Sequence, residues 1–194
     1  MEGRSPRQLW MLLPSLENLP PVRLPPGYEF RTFREGDEEV WCEIVNATMG
    51  GRHTPEQLRK NFTGREEFDP EGMFFITFGG RPVGTAFAWR EKLDGGEIGR
   101  VHYVAVLEEH RGKGLGTAVT LLVLHRLREW GFKRAVLSTD DFRLPAIKVY
   151  LRLGFKPVYF DDEHKERWRK VLEQLGMEAE GVDGAEILTL ALRG

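Results

Sequence analysis

The chain has 194 residues, 41% of them hydrophobic and 30% charged, an ordinary balance for a soluble globular domain that is long enough to bury its own core. Lys and Arg number 28 against 30 Asp and Glu, so the formal net charge is −2, which gives no support to nucleic-acid or membrane-surface binding. One cysteine, Cys42, excludes an internal disulfide, the five histidines show no metal-ligand spacing, and no apolar run approaches the ~20 residues of a membrane span. No metal is expected.

Residues 1–27 hold six of the 11 prolines (Pro6, Pro14, Pro20, Pro21, Pro25 and Pro26). Proline fixes φ and removes a donor, so this segment is read as an extended arm packed on the domain or on a neighbour, with a disordered tail as the alternative. Its patch Leu9, Trp10, Leu12, Leu13 is costly to leave in water and leaves a homodimer open. The start lacks the long apolar core and cleavage site of a signal peptide, so the chain reads as cytoplasmic.

A domain is expected over 28–194. YEFRTFR alternates as a half-buried strand from Tyr28. EGDEEVWCEIVNATMGG is a helix with an acidic first turn, an apolar stripe of Val40, Trp41, Ile44 and Val45, and a stop at Gly50-Gly51. Thr54, Pro55 and Gln57 open a second, short helix as a capping box. GMFFITFGG and RPVGTAFAWREKL form a hairpin, and Gly95-Gly96 turn the chain into a third strand, Glu97–Val106. After a glycine-rich loop, Thr117–Trp130 is an apolar-striped helix closed by Gly131. KRAVLST, LPAIKVYLRLG, FKPVYF, DEHKERWRKVLEQLG and EILTLALRG then alternate strand, helix, strand, helix, strand. Hairpins early and helical crossovers late predict a mixed α/β sheet with helices on its faces.

The loop EEHRGKGLGTAV joins the end of a strand to the start of a helix. Free amides at a helix N-terminus, glycines without Cβ, and the cations Arg111 and Lys113 together suit a phosphate or pyrophosphate. No Lys-Ser/Thr pair follows the last glycine, so it is not a Walker loop. Val119 stands where a dinucleotide fingerprint needs its third glycine. The pattern present is Arg111-x-x-Gly114-x-Gly116.

VAVLEEHRGKGLGTAV resembles the acyl-CoA-binding signature of the GCN5-related N-acetyltransferases (the GNAT family), whose core is Gln/Arg-x-x-Gly-x-Gly/Ala. AIKVYLRLGF, Ala146 to Phe155, resembles the family's second signature, a helix with Ala-x-x-x-Tyr that ends in Gly-Phe. The opening LPPGYEFRTFREGDEEVW is more loosely similar to mycothiol-synthase-like members. The resemblance implies a single GNAT-type domain whose mixed, mostly antiparallel sheet splays after Val106 into an acyl-CoA slot. It implies that the backbone of Val104, Ala105 and Val106 pairs with the pantetheine arm, and that the amides of Arg111, Gly112, Lys113, Gly114, Leu115, Gly116 and Thr117 hold the pyrophosphate of acetyl-CoA as co-substrate. Tyr150 would protonate the departing thiolate, a phenol of pKa ~10 facing a thiol of ~8.5.

Glu97 stands where family members carry a general base, directly or through water. Its rival is His102, which by strict alternation shares a face with Val104 and Val106 and has a suitable unperturbed pKa of ~6.5. Tyr103 falls on the other face. Arg143 replaces an Asn common in the second signature and could reach a phosphate instead. Asp140-Asp141 either attract a cationic amine or cap a helix. The helix from Asp162 to Gln174 packs Trp168, Val171, Leu172 and Leu175 and offers the rest to solvent or to a partner.

The expected activity is acetyl transfer from acetyl-CoA to a small-molecule or peptide amine, without a covalent intermediate on Cys42. No nucleic-acid or membrane partner is expected. A non-catalytic acyl-CoA-binding or sensor module is the alternative, and a nucleotide-binding protein of another fold rests on the glycines alone.

Overall fold

The computed structural model describes residues 8–93 and 96–185. The predicted last strand, EILTLALRG, the first residues of the arm and Gly95 lie outside the described residues. In chain order the elements are β1 (Leu9–Leu13), β2 (Tyr28–Thr32), α1 (Glu38–Met49), α2 (Pro55–Leu58), β3 (Met73–Phe78), β4 (Arg81–Leu93), β5 (Gly96–Val106), α3 (Leu115–Glu129), β6 (Ala135–Thr139), α4 (Leu144–Arg152), β7 (Lys156–Tyr159), α5 (Asp162–Leu175) and β8 (Val182–Asp183). A π-helical turn, Arg59–Thr63, extends α2. The predicted capping box is present at α2, with Gln57 N donating to Thr54 Oγ1 and Thr54 N to Gln57 Oε1.

The strands form one sheet in the order β2-β3-β4-β5-β6-β1-β7-β8. Only β5–β6 and β7–β8 run parallel; the other neighbours are antiparallel. One face is covered by α3, α4 and α5, whose Leu124, Ile147 and Trp168 share a core with Ile76 and Val101. The other carries α1 and α2, with Trp41, Ile44, Val45 and Leu58 packed on Met73, Phe75 and Phe87. The sheet is thus mixed, as the element order predicts, and mostly antiparallel, as the family resemblance implies. No described helix is long and apolar enough to cross a membrane.

The arm differs from its expectation. Residues 9–13 are a central strand, antiparallel to β6 along its whole length and to β7 on the other side. The prolines explain both the misreading and the outcome. They flank the segment and spare it, so LWMLL keeps every ladder donor, and Pro14 ends it. Leu9, Met11 and Leu13 enter the core beneath α3 to α5, while Trp10 and Leu12 face the opposite side. The remaining arm runs back over the helical layer toward the far edge of the sheet. Leu16 N donates to Lys133 O, and His125 Nε2 lies 2.9 Å from Pro20 O.

Because Met11 is fully buried between two partner strands, Met11→Ala should cost about 2–5 kcal/mol in urea unfolding, as much as a core truncation in α3 such as Leu124→Ala. A cost under about 0.5 kcal/mol, in the range of surface changes, would remove β1 from the sheet.

Candidate active site

β5 and β6 pair only at Gly99–Ala135 and Arg100–Val136. Beyond Arg100 they part, and the β6-facing edge of β5 from Val101 to Val106 has no ladder partner among the described residues. A cavity of about 340 Å³ opens in the gap. Its walls are Val101–Val104 on one side, Leu137–Asp140 on the other, and Arg143, Ala146 and Tyr150 from α4, with Met49 and Gln8 at the rim. The spacing of seven between Arg143 and Tyr150 is two helical turns, so one stripe of α4 supplies this wall.

The β4–β5 register slips inside this stretch. Phe87 faces His102 and Thr85 faces Ala105, so β5 carries one residue more than β4. Tyr103 takes the excess at φ +49°, a left-handed conformation that costs a bulky residue about 1–3 kcal/mol. The bulge overturns the alternation expected for His102. Its ring stacks on Phe87 at 5.2 Å and on Tyr103 at 5.6 Å, so His102 and Tyr103 share the α1 face. Val104 and Val106 pack into the opposite core. Burial pushes His102 below its ordinary value and Tyr103 above. His102 Nε2 lies 3.8 Å from Glu91 Oε2, and that oxygen accepts from Arg100 Nη1 at 2.8 Å. His102 first, then Arg100, hold the Glu91 carboxyl at about 2.

At the end of β5 the loop makes a short 3₁₀ turn, Glu108–His110, before α3. Gly112 and Gly114 have φ +76° and +79°, which glycine alone adopts without strain. Among the described residues the amides of Gly112 to Thr117 donate to no acceptor in the chain, whereas that of Arg111 is committed to Glu108 O. A Cβ built on Gly112, Gly114 or Gly116 meets nothing within 4 Å, so open space lies over all three. Arg111 Nε and Lys113 Nζ donate to the loop's own carbonyls, Val106 O and Glu109 O. The turn is propped from β2, where Tyr28 Oη and His110 Nδ1 are 2.8 Å apart.

Tyr150 is 6% exposed on the cavity wall, and burial pushes its phenol well above the ordinary value, so it is protonated at neutral pH. Glu97 is not brought to this wall. It is exposed near the β4–β5 turn, opposite Lys92. Arg143 lines the cavity but is committed within the chain: its Nε donates to Asp140 Oδ2 at 2.8 Å and its Nη2 to Met49 O. Asp141 pairs with Arg167 of α5, so neither aspartate caps α4, whose N-cap is Arg143. Cys42 is buried on the inner face of α1, and burial raises its thiol, the opposite of an activated nucleophile.

The sequence reading missed Gln8, Glu91, Arg100 and Ser138. They form one hydrogen-bonded rim: Arg100 bonds Glu91 and Ser138, Ser138 bonds Gln8, and Gln8 bonds Asp140, which holds Arg143. Folding the two strands about Gly95-Gly96 would have set Glu91 diagonal to Arg100. Nothing local announces Gln8 or Ser138.

A family model described as the Acetyltransferase (GNAT) family matches residues 38–155. The chain is 34% identical over 162 residues to a mycothiol acetyltransferase of Catenulispora acidiphila, covering 77% of this chain and 50% of that protein. It is 38% identical over 162 residues to a mycothiol acetyltransferase of Thermobispora bispora, covering 77% and 54%. The chain therefore spans about half the length of the curated relatives it matches. The crystal structure of a GCN5-related N-acetyltransferase from Sphaerobacter thermophilus matches with a TM-score of 0.65 at 29% identity, over 78% of this chain and 48% of that one.

Gly114→Ala should destabilise the fold by about 1–2 kcal/mol in urea through backbone strain alone, since space for the methyl is present. His102 makes a second expectation. Its folded value lies below its unfolded one, so the unfolded chain binds the extra proton, and stability falls as pH drops below ~6.5. The slope due to this group reaches at most about 1.4 kcal/mol per pH unit. Urea unfolding between pH 7.5 and 5.5 should lose that slope in His102→Gln.

Proposed function

The chain belongs to the GNAT family of acetyltransferases, and on that premise we propose that it moves an acetyl group from acetyl-CoA to a primary amine by direct attack in a ternary complex. The observation that carries this reading is the parting of β5 from β6, which leaves an unpaired strand edge beside a cavity walled by Tyr150; the six free loop amides that follow β5 support it.

The residues fit acetyl-CoA as co-substrate. The open space over Gly112, Gly114 and Gly116 admits a pyrophosphate against the α3 N-terminus, where the helix dipole and free amides favour negative charge. The edge Val104–Val106 offers backbone groups to an extended amide-bearing arm, as a neighbouring strand would. When bound, the co-substrate supplies an activated acyl thioester. Tyr150 holds the proton that the departing sulfur needs, on a phenol that burial keeps neutral. His102 takes the base role in place of Glu97, which lies away from the slot. Its burial keeps the ring neutral and able to accept a proton from the incoming ammonium. The Tyr103 bulge turns His102 within the stretch of β5 that lines the cavity.

The acceptor reading is a small-molecule or peptide amine in the cytoplasm, with no nucleic acid or membrane involved. Both curated relatives compared above are mycothiol acetyltransferases, which makes the amine that those enzymes acetylate the first acceptor to try.

Acetyl-CoA and CoA, but not ATP or NAD, should raise the melting temperature; at a hundred times the dissociation constant the gain is about 2.7 kcal/mol. Tyr150→Phe should keep that shift and lower kcat by about 10²–10⁴. Absence of a CoA shift, or full turnover by Tyr150→Phe, would overturn the reading.

A further inference from the structure

The base reading gives no task to the carboxylate that faces His102. Glu91 sits on β4, one strand away from His102, and contributes a single oxygen, Oε2, to two neighbours. Arg100 Nη1 donates to it at 2.8 Å, and His102 Nε2 faces it at 3.8 Å. We propose that Glu91 is the positioning residue of His102: it fixes the ring's proton on Nε2, leaves Nδ1 as the acceptor, and balances the imidazolium that forms when the amine gives up its proton. This rests on His102 being the base.

The partners are held from every side. Arg100 is anchored by Ser138 Oγ at 2.7 Å on β6 and lies over the Trp10 ring at 4.8 Å, so it cannot swing away with Glu91. The His102 ring is clamped between Phe87, Tyr103 and Phe62, with Phe62 edge-on at 5.6 Å. These rings hold the imidazole in the plane that turns Nε2 toward the carboxylate. A neutral imidazole has one donor and one acceptor nitrogen, and a carboxylate only accepts, so the proton belongs on Nε2. Nδ1 has no hydrogen-bond partner among the described residues. A gap of 3.8 Å is too short for a bridging water and too long for a full hydrogen bond. It is a contact that tightens when the ring becomes charged, as catalytic hydrogen bonds do on loading.

The charged and titratable groups around His102 are Glu91 from β4, and Arg100 and Tyr103 from β5; the π-helical turn contributes only Phe62. Glu91 favours the protonated ring, while burial and Arg100 oppose it. In the transfer the amine N–H bond breaks and an Nδ1–H bond forms. The freed nitrogen pair then makes the C–N bond, the C–S bond breaks, and sulfur takes the Tyr150 proton. The second proton shed by the nitrogen returns to the Tyr150 phenolate, leaving the amide, the thiol and the His102 imidazolium.

Long-range ¹H–¹⁵N correlation spectra of the ¹⁵N-labelled full chain read the tautomer and titration of His102 without acetyl-CoA or acceptor, so this test and the Tyr150→Phe assay fail independently. The wild type should carry its neutral-form proton on Nε2. Glu91→Gln should shift the population toward Nδ1–H and lower the proton affinity of His102 at least tenfold, and Glu91→Asp should restore part of both. A wild-type proton on Nδ1, or a titration unchanged in Glu91→Gln with amide spectra intact elsewhere, would overturn the proposal. Should Glu91→Gln not fold, the wild-type tautomer and Glu91→Asp still decide it.

Discussion

β5 and β6 share two paired positions and then separate, and the backbone groups released by that separation have to be satisfied or left for a ligand. On its far side β5 is bonded to β4 for most of its length, so its inner edge can be spared. β6 has only five residues and would be a marginal strand if its other side were open. The insertion of β1 beside it, in register from Leu9–Thr139 to Leu13–Ala135, makes the parting sustainable. α3 starts with unpaired amides at its N-terminus, and α4 sets a buried phenol on the cavity wall.

Charge in the slot comes in neutralised pairs. Glu91 answers Arg100, Asp140 answers Arg143, and Gln8 and Ser138 join the pairs into one rim that crosses β4, β5, β6 and the start of α4. Buried charges without partners would be costly, and half-satisfied networks costlier than apolar walls. Arg100 Nε alone in the rim is buried without a partner; the pairs around it are already oriented, and side chains so held need no rearrangement when reactants arrive.

What the sequence disclosed was local. The glycine loop, the capping box at Thr54 and the apolar stripes of α1, α3 and α5 are each written within a dozen residues, and each stands where the pattern puts it. Non-local features were hidden. Proline content described the arm as a whole and concealed the five proline-free residues that pair with partners more than a hundred positions away. The bulge at Tyr103 broke the two-residue period and moved His102 to the other face, a change no alternation rule foresees. Glu97 was chosen for its place in a strand, but a strand of eleven residues extends well past the slot, and only its later half borders the cavity.

The position of β1 bears on how the chain is made. It leaves the ribosome ahead of both strands that flank it, and the roughly 120 residues separating Leu13 from Ala135 take on the order of ten seconds to emerge at ~5–20 residues per second. Throughout that interval LWMLL is an apolar strand with two open edges, the kind of segment that pairs with whatever strand it meets. The stretch that closes the sheet is thus the one exposed longest during synthesis, and a cell producing this protein has to shield it until β6 and β7 arrive.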